Sequence, residues 1–147
     1  MMGKRRTHSP PKDWQTDKRK GRRQSYCPIY TNLLTSPAYI DLTSAQKALY
    51  IACRDREMYP HPQETGTAAD DRLFYMNRAL YVKTYQLYAK NNKRGFFRDI
   101  KALISHGFIS VYRSGKNTRT KNIYSYSSRW KEWQPGKDYT HTEGDHF

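Results

Sequence analysis

At Gly107 the apolar residues of this 147-residue chain change period, and few folds accommodate such a change. Upstream, Phe96, Phe97, Ile100, Leu103 and Ile104 recur at three- and four-residue steps, the pattern of one buried helix face. Downstream the period falls to two. Phe108-Ile109-Ser110-Val111-Tyr112-Arg113 reads as a strand, and Ile123-Tyr124-Ser125-Tyr126-Ser127-Ser128 reads as its return. A glycine at the junction suits the left-handed residue that closes a helix. The spacing therefore predicts a helix over 93–106, capped by Asn91 or Asn92, that feeds directly into a β-hairpin.

The segments before it add two more helices. Thr43 with Gln46 three residues on is a capping box, and Ala45, Ala48, Leu49 and Ala52 follow as a helical stripe fading near Arg56. Residues 60–71 are Pro-, Gly-, Thr- and Asp-rich and read as a loop. Leu73-Phe74-Tyr75-Met76 reads as a single short strand. Asn77 can cap a second helix over 78–87, with Tyr81, Tyr85 and Tyr88 on one face. Trp130 and Trp133 are expected to cover one end of the core. The fold class is then mainly α with a small β-hairpin, an α+β domain over 26–133. Its element order is that of a winged helix-turn-helix domain. Residues 1–25 read as a disordered basic arm, and 134–147 as a flexible tail.

Charge separates along the same boundaries. The chain holds 27 Lys and Arg against 13 Asp and Glu, a net charge of +14. Residues 1–25 carry nine basic and two acidic side chains, and residues 83–131 carry twelve basic and one acidic, Asp99. Residues 26–82 are nearly balanced. Charge of one sign on a helix and on the adjoining hairpin points to a polyanionic partner, nucleic acid first. No apolar run approaches the ~20 residues of a membrane span, and no secretory leader precedes the domain, so no membrane partner is expected. Two cysteines, Cys27 and Cys53, make neither a disulfide scaffold nor a cysteine zinc site, which suits a cytoplasmic, nucleoid-associated protein.

If the third helix buries its apolar stripe, its other face shows Lys93, Arg94, Arg98 and Lys101. Asn91 and Asn92 stand at the end that would approach base edges. The hairpin adds Arg113, Lys116, Arg119 and Lys121 as phosphate contacts, and the arm adds Arg5 and Arg22, which can enter a minor groove. Three stretches also carry a resemblance. Leu103-Ile104-Ser105-His106-Gly107-Phe108-Ile109 resembles the helix-to-wing junction of winged-helix proteins. Leu34-Thr35-Ser36-Pro37-Ala38-Tyr39 with Leu42-Thr43, and the hairpin loop 114–124, resemble replication-initiator and regulator-like proteins of plasmids, phages and integrative elements. The similarity spans about residues 29–131. It implies sequence-specific binding of double-stranded DNA for transcription regulation or replication-origin recognition, with other replication or transcription proteins as further partners. An alternative is an RNA or single-strand binding module in which Tyr112, Tyr124 and Tyr126 of the hairpin stack on unpaired bases. A third is a protein-interaction domain for an acidic partner. Neither tail offers a dimerisation helix, which favours a monomer.

Catalytic patterns are missing from the sequence. His8, His61, His106, His141 and His146 form no zinc-finger, His-Glu-x-x-His or His-x-His spacing, so no metal site is expected. His106 reads as a helix-end residue. Thirteen tyrosines are better explained by packing than by a nucleophile. Phosphate-cradling and dinucleotide-binding glycine loops do not occur. The expectation is a non-enzymatic protein without a cofactor.

Overall fold

The computed structural model describes residues 27, 29–57, 73–115 and 122–140, together with the backbone of two short strands. Those strands, β1 (Thr16–Asp17) and β2 (Arg22–Arg23), pair antiparallel within the segment read above as disordered arm. The rest of the arm, the 60–71 loop and the hairpin tip 116–121 lie outside the described residues.

Two short helices precede the first long one, α1 (Thr31–Leu34) and α2 (Pro37–Asp41). Each is about one turn, too short to leave a readable period in the sequence. Ser36 joins them. Its hydroxyl donates to Leu33 O at 2.7 Å and accepts from the Tyr39 N–H at 3.2 Å. Pro37 follows at the first helical position, where no N–H partner is needed. α3 (Ser44–Glu57) opens on the expected capping box: the Gln46 N–H reaches Thr43 Oγ1 at 3.2 Å, and the Thr43 N–H reaches Gln46 Oε1 at 3.0 Å.

The sheet has three antiparallel strands. β3 (Leu73–Phe74) and β4 (Ile109–Arg113) flank β5 (Ile123–Tyr126), with Phe74 and Val111 both opposite Tyr124. The short run at 73–76 is thus an outer strand beside the hairpin. Phe74 stacks on Tyr126 at 4.7 Å between ring centroids. The Tyr126 hydroxyl donates to Cys53 O, and the buried Arg54 guanidinium lies 4.7 Å from the Tyr126 ring. Tyr126 thereby ties the sheet to α3.

The helix expected over 78–87 is shorter and wider. A π-helix covers Ala79–Thr84, with Asn77 Oδ1 accepting from the Leu80 N–H at 3.1 Å, and Gln86 has a φ of 52°. Helical spacing would put Tyr81, Tyr85 and Tyr88 on one face. Tyr81 and Tyr88 do stay together, against each other and the helix that follows, while Tyr85 turns to α3. Tyr81 stacks on Phe96 at 3.8 Å, the Tyr85 hydroxyl bonds Asp55 Oδ2 at 2.6 Å, and the Tyr88 hydroxyl bonds Asp99 Oδ2 at 2.6 Å. Satisfying the buried Asp99 and the half-buried Asp55 outweighs one more helical turn.

α4 (Lys93–Ser105) is the helix read from the period. Asn92 rather than Asn91 caps it, accepting from the Gly95 N–H at 3.1 Å. Its end is a Schellman arrangement: the Gly107 N–H bonds Ile104 O and the Phe108 N–H bonds Leu103 O, each at 3.0 Å. Gly107 has a φ of 84°, and a Cβ there would stand 2.7 Å from the Trp130 nitrogen. The backbone of the 3₁₀ turn Arg129–Glu132 crosses at this point, and the Trp130 N–H bonds Gly107 O at 3.1 Å.

Trp130 and Trp133 are both buried, and Trp130 stacks on Phe108, whose ring also meets Tyr50 at 5.0 Å. The ordered chain continues past 133, through the first half of the expected tail. The Tyr139 N–H bonds Ser105 O, the Trp133 Nε1–H bonds Lys137 O, and Thr140 is 4% exposed. The polar composition concealed these backbone anchors. His106 sits at the end of α4 as expected. Its ring stacks on Trp133 at 4.7 Å, with Nδ1 2.7 Å from Ala102 O and Nε2 2.7 Å from Asp41 Oδ2.

Candidate nucleic-acid interface

α4 divides cleanly into two faces. Gly95, Phe96, Asp99, Ile100, Leu103 and Ile104 are buried. Lys93, Arg94, Arg98 and Lys101 are exposed, and Arg94, Arg98 and Lys101 follow one another at four- and three-residue steps along one side. Phe97 departs from expectation: it is 41% exposed, on the cationic side. Its phase on the helix is close to that of Ile104, seven residues on, which is buried, so phase alone does not expose it. Phe96 occupies the core, and Phe97 meets it at 66°.

Asp99 is the more informative residue. The only acid in the basic stretch 83–131 is 1% exposed, on the inner face of the helix. It accepts from the Tyr88 hydroxyl at 2.6 Å, from Gln46 Nε2 at 3.3 Å and from Arg98 Nε at 3.4 Å. One carboxylate thus joins α3, the segment before α4 and α4 itself. Its burial removes the one negative charge that would interrupt the outer face. Its helical phase, between Phe96 and Leu103, was a legible signal for this position.

The first turn of α4 carries Lys93 and Arg94 and no acid. Cations at this end oppose the helix macrodipole and cost about 0.3–1 kcal/mol each. An anion bound there reverses that cost. Asn91 and Asn92 are both exposed beside it, but the Asn92 side-chain oxygen is committed to the cap. Arg113 is exposed at the end of β4. The hairpin closes behind it, where the Gly115 N–H bonds Asn122 Oδ1 at 2.7 Å. Lys116, Arg119, Lys121 and Arg5 lie outside the described residues, and of Arg22 only the backbone, in β2, is described.

Between the start of α4 and the base of the hairpin lies a cleft of about 740 Å³. Arg78, Lys90 and Lys93 supply three cations to its lining, and among the described residues no carboxylate lines it. Its rings are Tyr81, Phe96, Phe97 and Tyr124. Arg78 Nη2 donates to Lys90 O at 2.8 Å, which ties the start of the π-helix to the turn before α4. Sequence reasoning missed Arg78, Lys90 and Phe97. Arg78 and Lys90 fall outside any periodic run, and only the chain reversal between them brings them together.

The hairpin tyrosines do not form one exposed row. Tyr112 is exposed, Tyr124 is buried, and Tyr126 is turned inward to Cys53 O. Cys53 is buried as well, and burial pushes its thiol well up, which suppresses the reactive thiolate. Among the described residues no three His, Cys, Asp or Glu side chains gather as a metal set, and no helix is long and apolar enough to cross a membrane. No protein-family model, curated protein or solved structure matches the chain.

Proposed function

We propose that this chain binds double-stranded DNA sequence-specifically as a winged helix-turn-helix domain, without catalysis, metal or cofactor. In this reading α4 enters the major groove and turns Arg94 and Arg98 to base edges, with Lys93 and Lys101 on phosphates. The β4–β5 hairpin is the wing. Arg113, Lys116, Arg119 and Lys121 serve backbone contacts there, and the arm, with Arg5 and Arg22, follows the duplex further. Residues 85–92 make a longer link than the three- or four-residue turn of compact helix-turn-helix units. The Tyr88–Asp99 and Arg78–Lys90 hydrogen bonds hold the two helices in place of a tight turn.

The observation that carries this reading is the one-sided charge of α4: four exposed cations outside and its single acid buried beneath them. Ordinary solvated surfaces intersperse both signs. The role is transcription regulation or origin recognition for a mobile element, on DNA in the cytoplasm. Both roles use the same contacts.

Selection of bound duplexes from a random pool, repeated at two salt concentrations, tests the proposal directly. A defined site should emerge whose affinity falls steeply with salt. On that site Arg94→Ala or Arg98→Ala should lower the preference over random DNA by about 1–3 kcal/mol, the worth of a bidentate arginine–guanine contact. Full discrimination in both variants would show that α4 is not the reader.

A further inference from the structure

The cleft beside α4 has a shape that a regular duplex does not use. Paired bases present their edges in a groove, while their faces are stacked on one another. A concave site floored by rings and rimmed by cations fits the other chemistry of nucleic acids, a base face with its phosphate. We propose that the cleft between the start of α4 and the base of the β4–β5 hairpin seats one unpaired nucleotide of the bound DNA. Its base lies on Phe97, and its phosphate lies on Arg78, Lys90 and Lys93. This site rests on the duplex-binding reading above and adds a preference for DNA with an unpaired nucleotide.

Three observations converge on it. The cleft, at about 740 Å³, falls in the range of small-molecule sites and is roomy for one nucleotide. Among the described residues its charged lining is entirely positive. Arg78 uses one guanidinium N–H on Lys90 O, and a guanidinium has five, so the others remain to meet a phosphate. Finally, Phe97 is the one exposed ring among the described residues of the lining. Tyr81 and Phe96 are buried against each other at 3.8 Å, and Tyr124 is buried in the sheet. An isolated exposed apolar residue is ordinary. One set at the mouth of a cationic cleft, with the Lys93 ammonium 5.7 Å from its ring centroid, is arranged as stacking sites are. Asn77 and Asn122 are used in bonds that build the walls, to the Leu80 and Gly115 N–H groups. That leaves Asn91 as the amide placed to meet a base edge.

The test compares fluorescence anisotropy on one labelled sequence as a blunt duplex and as duplexes with a single unpaired nucleotide at a 3′ or a 5′ end. The readout is the ratio of affinities. One overhang should bind about five- to 150-fold tighter than the blunt duplex, the range spanned by stacking of one base. Phe97→Ala should bring the ratio to one, and Phe97→Trp should keep it. Equal affinity for all three duplexes overturns the proposal while leaving duplex binding standing. A ratio unchanged in Phe97→Ala also overturns it, because Phe97 then touches paired DNA or nothing. Competition by millimolar adenosine monophosphate without any overhang preference overturns it as well and makes the cleft a site for free nucleotides. Failure to bind any of the duplexes removes the duplex-binding reading itself and this site with it.

Discussion

Asp99 shows how a single side chain serves both stability and surface charge. A buried carboxylate is tolerated only when its oxygens are hydrogen-bonded, and the Tyr88 hydroxyl supplies the shortest of its three bonds, at 2.6 Å. Tyr88→Phe removes that donor and leaves the carboxylate short of a partner. The variant should lose about 1.5–3 kcal/mol of stability in a denaturant titration, the worth of a hydrogen bond to a charged group. The same geometry predicts alkaline sensitivity. Burial, then the hydrogen bond to Asp99, raises the Tyr88 hydroxyl well above its ordinary value of 10.0, and burial with Asp55 does the same for Tyr85. A group whose folded value is raised keeps its full contribution below the unfolded value and loses it as pH climbs beyond. Stability should therefore hold to about pH 9–10 and fall above it. The double variant Tyr85→Phe with Tyr88→Phe should start less stable and fall less steeply over that interval.

At the scale of the element, α4 combines an optimised end with an unfavourable beginning. Its end depends on Gly107 for two separate reasons, the left-handed φ of 84° and the Trp130 nitrogen 2.7 Å from where a Cβ would stand. Gly107→Ala adds conformational strain of about 1–2 kcal/mol to a clash with backbone that has no rotamer to change. A loss on the order of 2–3 kcal/mol in thermal or chemical unfolding is expected. Its beginning places Lys93 and Arg94 against the macrodipole with no acid to offset them. Lys93→Glu should raise the stability of the free protein by about 0.6–2 kcal/mol, the cation's cost removed and an acid's gain added, and weaken DNA binding at the same time. Stability and affinity moving together in that variant would remove the argument that this turn is kept for an anion.

Across the whole molecule, the proposed interface joins α4 to the β4–β5 hairpin. Lys116, Arg119 and Lys121 fall within the one short stretch of sequence that links β4 to β5. Replacing all three by Ala should leave the unfolding midpoint nearly unchanged, since surface substitutions usually stay within about ±0.5 kcal/mol each. DNA affinity should fall, and the slope of log affinity against log salt should shrink by about 0.9 for each lost phosphate contact, at most about three units in all. Wild-type affinity and slope in the triple variant would show that the hairpin does not touch DNA and would favour an acidic protein partner instead.

The elements legible in the sequence are those whose cause is local. The capping box of Thr43 and Gln46, the stripe of α4, its glycine stop and the change to a two-residue period are each written within a few neighbouring positions, and each is found in the fold. The cationic face followed from the same stripe. Tertiary structure decided what depends on partners far along the chain. The expected helix stops before Tyr85, whose hydroxyl meets Asp55, thirty residues earlier, and Tyr88 beyond it meets Asp99, eleven residues later. Phe97 stays outside because Tyr81 and Phe96 stack to fill the core. The residues from 134 to 140 are ordered because Ser105 O is met by the Tyr139 N–H, a bond between backbone groups that no side chain announces. Local steric and capping preferences are properties of neighbouring residues and can be read from their order. Satisfying a buried polar group or filling a core volume is a property of whichever residues the fold brings together, and only the folded chain specifies them.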